Sequence, residues 1–408
     1  MTQACFRAAR HFLSPSTIAI LSLLSCISLT SQAQTLQVIH TFAGGLDGSY
    51  PLTGVTLDRA GSLYGTTAGG DGTLFNLAHT ASGWVFHPIY AFHGSDGVSP
   101  YSPLLFGPDG ALYGTTQSGG QYGHGTVFSV TPPATICRSF SCPWAETVLY
   151  SFMGTNDSLA PQGHLIFDSS GNLYGTAYGN NSSGTPGAGG GANGSVWELI
   201  HTGRAWTIDV IYGFTGLGIT PVGPLGGVTF DRAGNLYGTT FWGGANNLGT
   251  VFQLTRSGSS WTVNILHSFD SMAFFPQAGL VADQAGNMYG ATFGGAYAFE
   301  LTPSGGGWNF ANIYQITTFD GPFSDLTIDP QGNVYGATDN GGTHAQGNIF
   351  KLTQSNGVWT LTDLYDFTGG NDGGHPTGSV ILDSQGNIYG TATDGGTTGF
   401  GTVWVLTR

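Results

Sequence analysis

Past residue 33 the chain alternates apolar and polar positions over short runs, each ended within a few residues by glycine, proline, aspartate or asparagine. The stretch from Gly227 shows the unit. Gly227-Val228-Thr229-Phe230-Asp231 alternates as a half-buried strand does, Arg232-Ala233-Gly234-Asn235 has turn composition, and Leu236-Tyr237-Gly238-Thr239-Thr240 predicts a returning strand. A glycine-bearing loop from Phe241 to Gly249 leads to Thr250-Val251-Phe252-Gln253-Leu254-Thr255. A Gly/Ser turn then separates that run from Trp261-Thr262-Val263-Asn264-Ile265-Leu266. Four short strands in about 55 residues match the content of one propeller blade.

A Tyr-Gly pair in the second strand is the ruler for the repeat. Tyr64, Tyr113, Tyr174, Tyr237, Tyr289, Tyr335 and Tyr389 are each followed by glycine, at separations of 49, 61, 63, 52, 46 and 54 residues. Seven copies predict an all-β fold, a seven-bladed β-propeller with four antiparallel strands per blade, filling residues 34–408 as one domain. An Asp-x-x-Gly turn precedes the pair at Asp58, Asp168, Asp231, Asp283, Asp329 and Asp383, and slides to Gly107-Pro108-Asp109-Gly110 in the second copy. Glycine takes a positive φ there without steric cost, and the carboxylate accepts backbone N–H groups the hairpin leaves unpaired. One acid per repeat in a tight turn therefore reads as turn chemistry, not as a catalytic set.

The third strand carries one large ring per copy: Phe75, Phe128, Trp197, Phe252, Phe299, Phe350 and Trp404. Blades stack face to face, so a ring at one level of each is expected in the packing between them. The fourth strand opens on Trp84, Trp144, Trp206, Trp261, Trp308 and Trp359, six occurrences and not seven. The last repeat stops short of it, and an unpaired edge there is a pairing hazard. Leu36-Gln37-Val38-Ile39-His40-Thr41-Phe42 has the pattern of the missing strand, matching Ile265-Leu266-His267-Ser268-Phe269 and Val148-Leu149-Tyr150-Ser151-Phe152. The N-terminal strand is thus expected to close the last blade.

The first 33 residues stand outside this pattern. Arg7 and Arg10, an apolar run from Thr17 to Leu29 and the small-x-small Ser31-Gln32-Ala33 have the layout of a cleaved signal peptide, too short to span a bilayer. Leu23-Leu24-Ser25-Cys26 also has lipobox character, and a lipid-anchored form through Cys26 is the lesser alternative. A secreted, periplasmic or cell-exterior protein is expected, with no transmembrane segment after Gln34 and no C-terminal anchor. Setting Arg7 and Arg10 aside leaves 7 of the 9 basic residues against 23 acidic ones, a formal charge of −16. That surface repels phosphate backbones and argues against nucleic acid as a partner. A monomer is expected. Cys137 and Cys142, with four residues between them in a proline-bearing segment, suit a disulfide in an oxidising compartment better than half a metal site.

With Gly234-Asn235-Leu236-Tyr237-Gly238-Thr239-Thr240, the following Gly-Gly and Gly249-Thr250-Val251-Phe252-Gln253-Leu254-Thr255 in view, the repeat resembles the GloVer tandem repeat of exported bacterial proteins, the choice-of-anchor group. The resemblance covers nearly all of the mature chain. It implies export and supplies no catalytic residues. The Asp-x-x-Gly-Asn-x-Tyr turn is more loosely similar to NHL-type and gluconolactonase-like propellers.

Propeller ligands bind at a channel mouth, where loops of several blades converge. If the first strand of each unit is innermost, one mouth is built by the loops after the second and fourth strands. Asp47, Asp96, Asp157 and Asp372 lie there in Gly-rich stretches, with Tyr50, Tyr101, Trp242, Phe274 and Phe275 in the same class of loop. Candidate ligand contacts are therefore Asp47, Asp96, Asp157, Asp372, Tyr101 and Trp242, an acid-and-ring set suited to a sugar chain or a cation such as Ca²⁺; the competing reading makes them turn residues and packing. His40 and His267 occupy equivalent outer-strand positions and read as structural, while His93, His124, His164 and His375 fall nearer the mouth. No catalytic motif, metal site or cofactor is predicted: Gly-x-Ser-x-Gly, His-Glu-x-x-His and a phosphate loop ending in Lys-Ser/Thr are all absent from the sequence. The glycine-rich stretch from Gly184 to Gly194 reads as an insertion in the third blade. The expected function is a binding module for carbohydrate or an extracellular protein, with a metal-assisted hydrolase or lyase of the lactonase-like kind and a structural envelope component as alternatives.

Overall fold

A computed structural model describes residues 34–133, 144–155, 157–179, 193–203, 205–216, 220–258, 260–317 and 321–407. The leader with Cys26, the Cys137–Cys142 pair and most of the Gly184–Gly194 stretch lie outside the described residues. Seven antiparallel sheets form the propeller; in six of them four strands follow in sequence order from the axis outward, and in the last the N-terminal strand takes the outermost place. Their innermost strands are very short: Val55–Leu57, Leu105–Phe106, Ile166–Phe167, Thr229–Phe230, Val281–Ala282, Thr327–Ile328 and Ile381–Leu382. The second blade adds a short strand, Val98–Pro100, beside Leu112–Ser118.

The ring closes as the repeat count requires. Thr35–Thr41 pairs antiparallel with Thr402–Thr407, in a register running from Thr35 opposite Thr407 to Thr41 opposite Thr402. The strand also ties the last blade to the first, because Phe42 meets Phe75 edge-on at 5.2 Å and His40 stacks on Phe86 at 4.0 Å. His267 stacks on Phe310 at 3.5 Å in the equivalent position, so both histidines are packing residues.

Two columns of the repeat explain each other. The glycine of every Tyr-Gly pair lies directly across the ladder from the third-strand ring: Gly65 from Phe75, Gly114 from Phe128, Gly175 from Trp197, Gly238 from Phe252, Gly290 from Phe299, Gly336 from Phe350 and Gly390 from Trp404. All seven rings are fully buried. They lie across the glycine backbone, so that a Cβ on Gly238 would come within 2.7 Å of Phe252 Cζ. Glycine is required here by close approach, and the ring covers the backbone that glycine leaves bare. Gly238→Ala is expected to lower stability by about 1–3 kcal/mol through overpacking. Urea unfolding checks this, and adding Phe252→Leu should restore most of the loss.

The tyrosine of the pair reaches back to its own turn. In the fourth blade Asp231 Oδ1 accepts the Ala233 and Asn235 amides at 2.8 and 2.9 Å, while Oδ2 accepts Asn235 Nδ2 at 2.8 Å and the Tyr237 hydroxyl at 2.9 Å. The tyrosine-to-aspartate bond recurs in the other six blades. Burial alone raises the Asp231 pKa, but the bonds it accepts outweigh this and hold it below 3.8. These acids are turn braces, as the spacing predicts.

Candidate functional site at the axial mouth

The mouth is set by seven X-Pro steps, one per blade, each four residues ahead of a Leu or Val at, or immediately before, the start of the inner strand. The prolines are Pro51, Pro100, Pro161, Pro224, Pro276, Pro322 and Pro376, and all are buried. Six of them rest on the preceding blade, where Gly401, Gly72, Gly125, Gly194, Gly249 and Gly347 leave no room for a Cβ; the added atom would approach proline Cδ to 2.2–2.7 Å. That contact is why Gly-Thr opens most third strands.

The residue before proline normally favours extended backbone. Here Tyr50, Ser99, Ala160, Phe275 and His375 instead hold φ between 54 and 58°. Hydrogen bonds over-determine the bend, as such strain requires. Each of these residues donates its N–H to the preceding blade, at Phe400, Asp71, His124, Leu248 and Gln346 respectively. In most copies its carbonyl then accepts from the second strand's end in its own blade, as Phe275 does from Phe293.

This constant backbone presents a variable ring. The residue after each proline is Leu52, Tyr101, Gln162, Leu225, Gln277, Phe323 or Thr377, and all seven line one cavity of about 200 Å³. The Gln162 and Gln277 amides have no protein partner among the described residues. Two positions further along stands the floor: Gly54, Pro103, His164, Gly227, Gly279, Asp325 and Ser379. Only two of those side chains are large and polar. His164 of the third blade and Asp325 of the sixth meet across the axis, with Nδ1 2.7 Å from Oδ2.

The pair fits because its neighbours are glycines. A Cβ on Gly227 would lie 2.6 Å from His164 Cγ, and one on Gly279 2.7 Å from Cε1. His164 Nε2 faces the Val228 carbonyl at 3.1 Å, and the Gly279 amide donates to Asp325 Oδ1 at 2.6 Å. Both imidazole nitrogens thus face acceptors, which makes the ring a doubly donating imidazolium beside a carboxylate. Burial pushes the His164 pKa down, but the Asp325 charge and the two acceptors outweigh it and hold the pKa above 6.5. Burial likewise pushes Asp325 up, and the His164 charge and bond with the Gly279 amide bring it below 3.8.

Of the residues nominated from sequence, only Tyr101 lines the cavity, 37% exposed and with its pKa raised by burial. The four acids sit at the outer start of the same loops. Asp96 Oδ2, Asp157 Oδ2 and Asp372 Oδ2 accept the hydroxyls of Tyr90, Tyr150 and Tyr365 at 2.5, 2.8 and 3.0 Å, and Asp47 Oδ1 meets His40 Nε2 at 2.9 Å. Each also accepts a backbone amide, from His93, Met153, Thr368 and Ala43. Trp242 packs against Phe275 at 4.5 Å and Phe241 at 5.1 Å, away from the cavity lining. Of the four histidines placed near the mouth, His164 reaches the floor, and His375 pairs with Asp339 at 3.1 Å on the rim. Sequence reasoning passed over Gln162, Gln277, Phe323 and Asp325. Their signal was a column: aligning the repeats on proline shows a fixed Pro-x-x-x-Leu/Val frame whose middle residues change from blade to blade.

Among the described residues no group of three or more His, Cys, Asp or Glu side chains is placed to hold a metal ion, and no helix is long and apolar enough to cross a membrane.

The sequence profile of the Gloeobacter/Verrucomicrobia repeat matches residues 25–188 and 291–408. The outer two strands of the third blade, the whole fourth blade and most of the inner two strands of the fifth fall between the matched segments, yet have the same strand order. No curated protein matches the sequence. Among solved structures, virginiamycin B lyase from Staphylococcus aureus is similar at 14% identity over 92% of this chain and 99% of the lyase, with a TM-score of 0.57. A catalytically inactive form of that lyase with quinupristin gives 13% identity, 92% and 99% coverage and a TM-score of 0.55. A Bacteroides uniformis protein assigned as a 6-phosphogluconolactonase gives 12% identity, 88% and 90% coverage and a TM-score of 0.50. At these identities the likeness is one of fold.

Proposed function

The chain belongs to the Gloeobacter/Verrucomicrobia repeat family, and from that premise we propose that it is an exported binding module that holds a neutral, hydroxyl-rich ligand, carbohydrate in class, at its axial mouth. The observation that carries this reading is the ring of residues following the seven prolines. It offers two unpartnered amides, Gln162 and Gln277, between the rings of Tyr101 and Phe323, which come from blades on opposite sides of the axis. Amides that both donate and accept suit hydroxyls, and aromatic faces suit the C–H face of a sugar. The floor adds one cation and one anion that cancel, so a charged ligand gains no net attraction. A cavity of about 200 Å³ is below the usual range for drug-sized ligands, about 300–1,000 Å³, and suits one sugar ring or the end of a chain.

Export rests on the leader layout of the first 33 residues. Cys26 lipidation is the lesser route.

Calorimetry with the methyl glycosides of glucose, galactose and mannose, alongside a glycan array, tests the reading. At least one hexose is expected to bind, and Gln162→Ala and Gln277→Ala are each expected to weaken it roughly tenfold, one hydrogen bond's worth. An array at background with no calorimetric heat from any methyl glycoside would overturn it.

A further inference from the structure

The floor of the cavity is a charge pair held in an unusual state of satisfaction. His164 spends both nitrogens inside the protein, one on Asp325 and one on the Val228 carbonyl, and has no N–H or lone pair left for a ligand. A His–Asp dyad built for proton transfer would turn its second nitrogen toward the substrate. Asp325 differs. Each of its oxygens accepts a single protein hydrogen bond, Oδ2 from His164 and Oδ1 from the Gly279 amide. A carboxylate offers about four lone-pair sites, so acceptor capacity remains on both oxygens. The side chain keeps 23% of its surface exposed and borders the cavity.

We propose that the Asp325 carboxylate is the ligand's anchor, receiving two neighbouring hydroxyls on its two oxygens, and that His164 is the positioning residue that fixes its rotamer and supplies its counter-charge. This rests on the carbohydrate reading and narrows it to ligands with a vicinal diol. Two oxygens of one carboxylate match two hydroxyls on adjacent carbons, and charge-assisted bonds are roughly twice as strong as neutral ones. An amine gains little, because the imidazolium 2.7 Å away already neutralises the carboxylate. Among the described residues Tyr101 is the only other titratable side chain lining the cavity, and its neutral hydroxyl leaves the acidic range to the pair.

The probes are the methyl glycosides of glucose, galactose and mannose and the mono-deoxy analogues of whichever binds, titrated calorimetrically between pH 3 and pH 8, on the order of the range spanned by carboxylate and imidazole. Asp325→Asn is expected to cost about 10- to 100-fold in affinity, the span of a charged hydrogen bond. His164→Asn keeps a donor near the Nδ1 position and removes the charge. It should weaken binding at neutral pH less than Asp325→Asn does and move the acid-side loss of binding to a higher pH than in the wild type, a shift that a purely structural role would not cause. Two adjacent single-hydroxyl deletions on the sugar should each cost about tenfold against the wild-type protein, a measurement that stands even where a variant fails to fold. Unchanged affinity in Asp325→Asn, an unshifted pH profile in His164→Asn, deoxy losses confined to non-adjacent hydroxyls, or an amino sugar binding better than its hydroxyl parent would each overturn the proposal while leaving carbohydrate binding intact. Absence of binding by every glycoside removes the parent reading with it.

Discussion

A chain lacking Thr35–Thr41 is expected to lose cooperative folding. The strand is the outermost member of the last sheet, and its removal unpairs the whole of Thr402–Thr407 along the register now filled from Thr35 to Thr41. At about 1 kcal/mol net for each hydrogen bond, the ladder alone is worth several kcal/mol. Loss of Leu36 and Ile39 from the blade faces adds apolar exposure, at about 25 cal/mol per Å². That sum approaches the whole net stability of an ordinary domain, about 5–15 kcal/mol. It also strips the junction with the first blade, where His40 stacks on Phe86 and Thr398 donates to the Phe42 carbonyl. Loss of the single urea transition, with aggregation through the bared edge, is the expected readout. The matching control is a circular permutant. Thr407 Oγ1 lies 3.2 Å from the Thr35 carbonyl, so a two-residue Asn-Gly turn can join the two strands as a hairpin. New ends are then opened in the exposed Gly305–Gly306 turn between Tyr297–Ser304 and Gly307–Gln315. The permutant should fold with near wild-type stability. A truncated chain that unfolds like wild type would show that the ring does not need its closing strand.

The repeat was readable because its chemistry is local. A Tyr-Gly pair, an Asp-x-x-Gly turn and a ring per third strand are spaced by a few residues, and each is explained by a contact within one blade, as Asp231 with Tyr237 or Gly238 with Phe252. Closure was readable because a count of six tryptophans against seven rings exposed a gap. The mouth was not, for a physical reason. Asp47, Asp96, Asp157 and Asp372 drew attention as acids beside glycine, yet each is consumed by a hydroxyl or imidazole and an amide of its own loop. Site chemistry lies instead in columns that differ between blades, and a repeat search discards such differences as noise. His164 and Asp325 are 161 residues apart and become neighbours only through seven-fold geometry. Nothing in either residue's local sequence marks the other.

His164→Ala and Asp325→Ala are each expected to destabilise the protein by about 3 kcal/mol, the low end of the range for orphaning one member of a buried ion pair. The low end applies because 20% and 23% of the two side chains remain exposed. The two losses should not be equal. With Asp325 gone, His164 can shed its proton near neutral pH; with His164 gone, the carboxylate keeps its charge and only the Gly279 amide to hold it. His164→Ala is therefore the costlier change at pH 7, on the ordinary carboxylate and imidazole values. In acid the order reverses, since Asp325 protonates and an unpaired imidazolium cannot discharge. The combined change His164→Gly with Asp325→Ser installs residues that the same column already uses at Gly227 and Ser379. It should cost far less than either single change, because no charge is left unpaired. The sign of the pH dependence follows from the two shifts. Asp325, held below 3.8, contributes stability above that value and loses it as pH falls through its lowered pKa. His164, held above 6.5, contributes fully below that value and loses it as pH rises through its raised pKa. The stability difference between wild type and the double variant, read from urea midpoints, should therefore be flat and largest between pH 3.8 and 6.5 and fall away on both sides. A difference that does not change with pH would mean that the contact across the axis is held by packing over Gly227 and Gly279, not by charge.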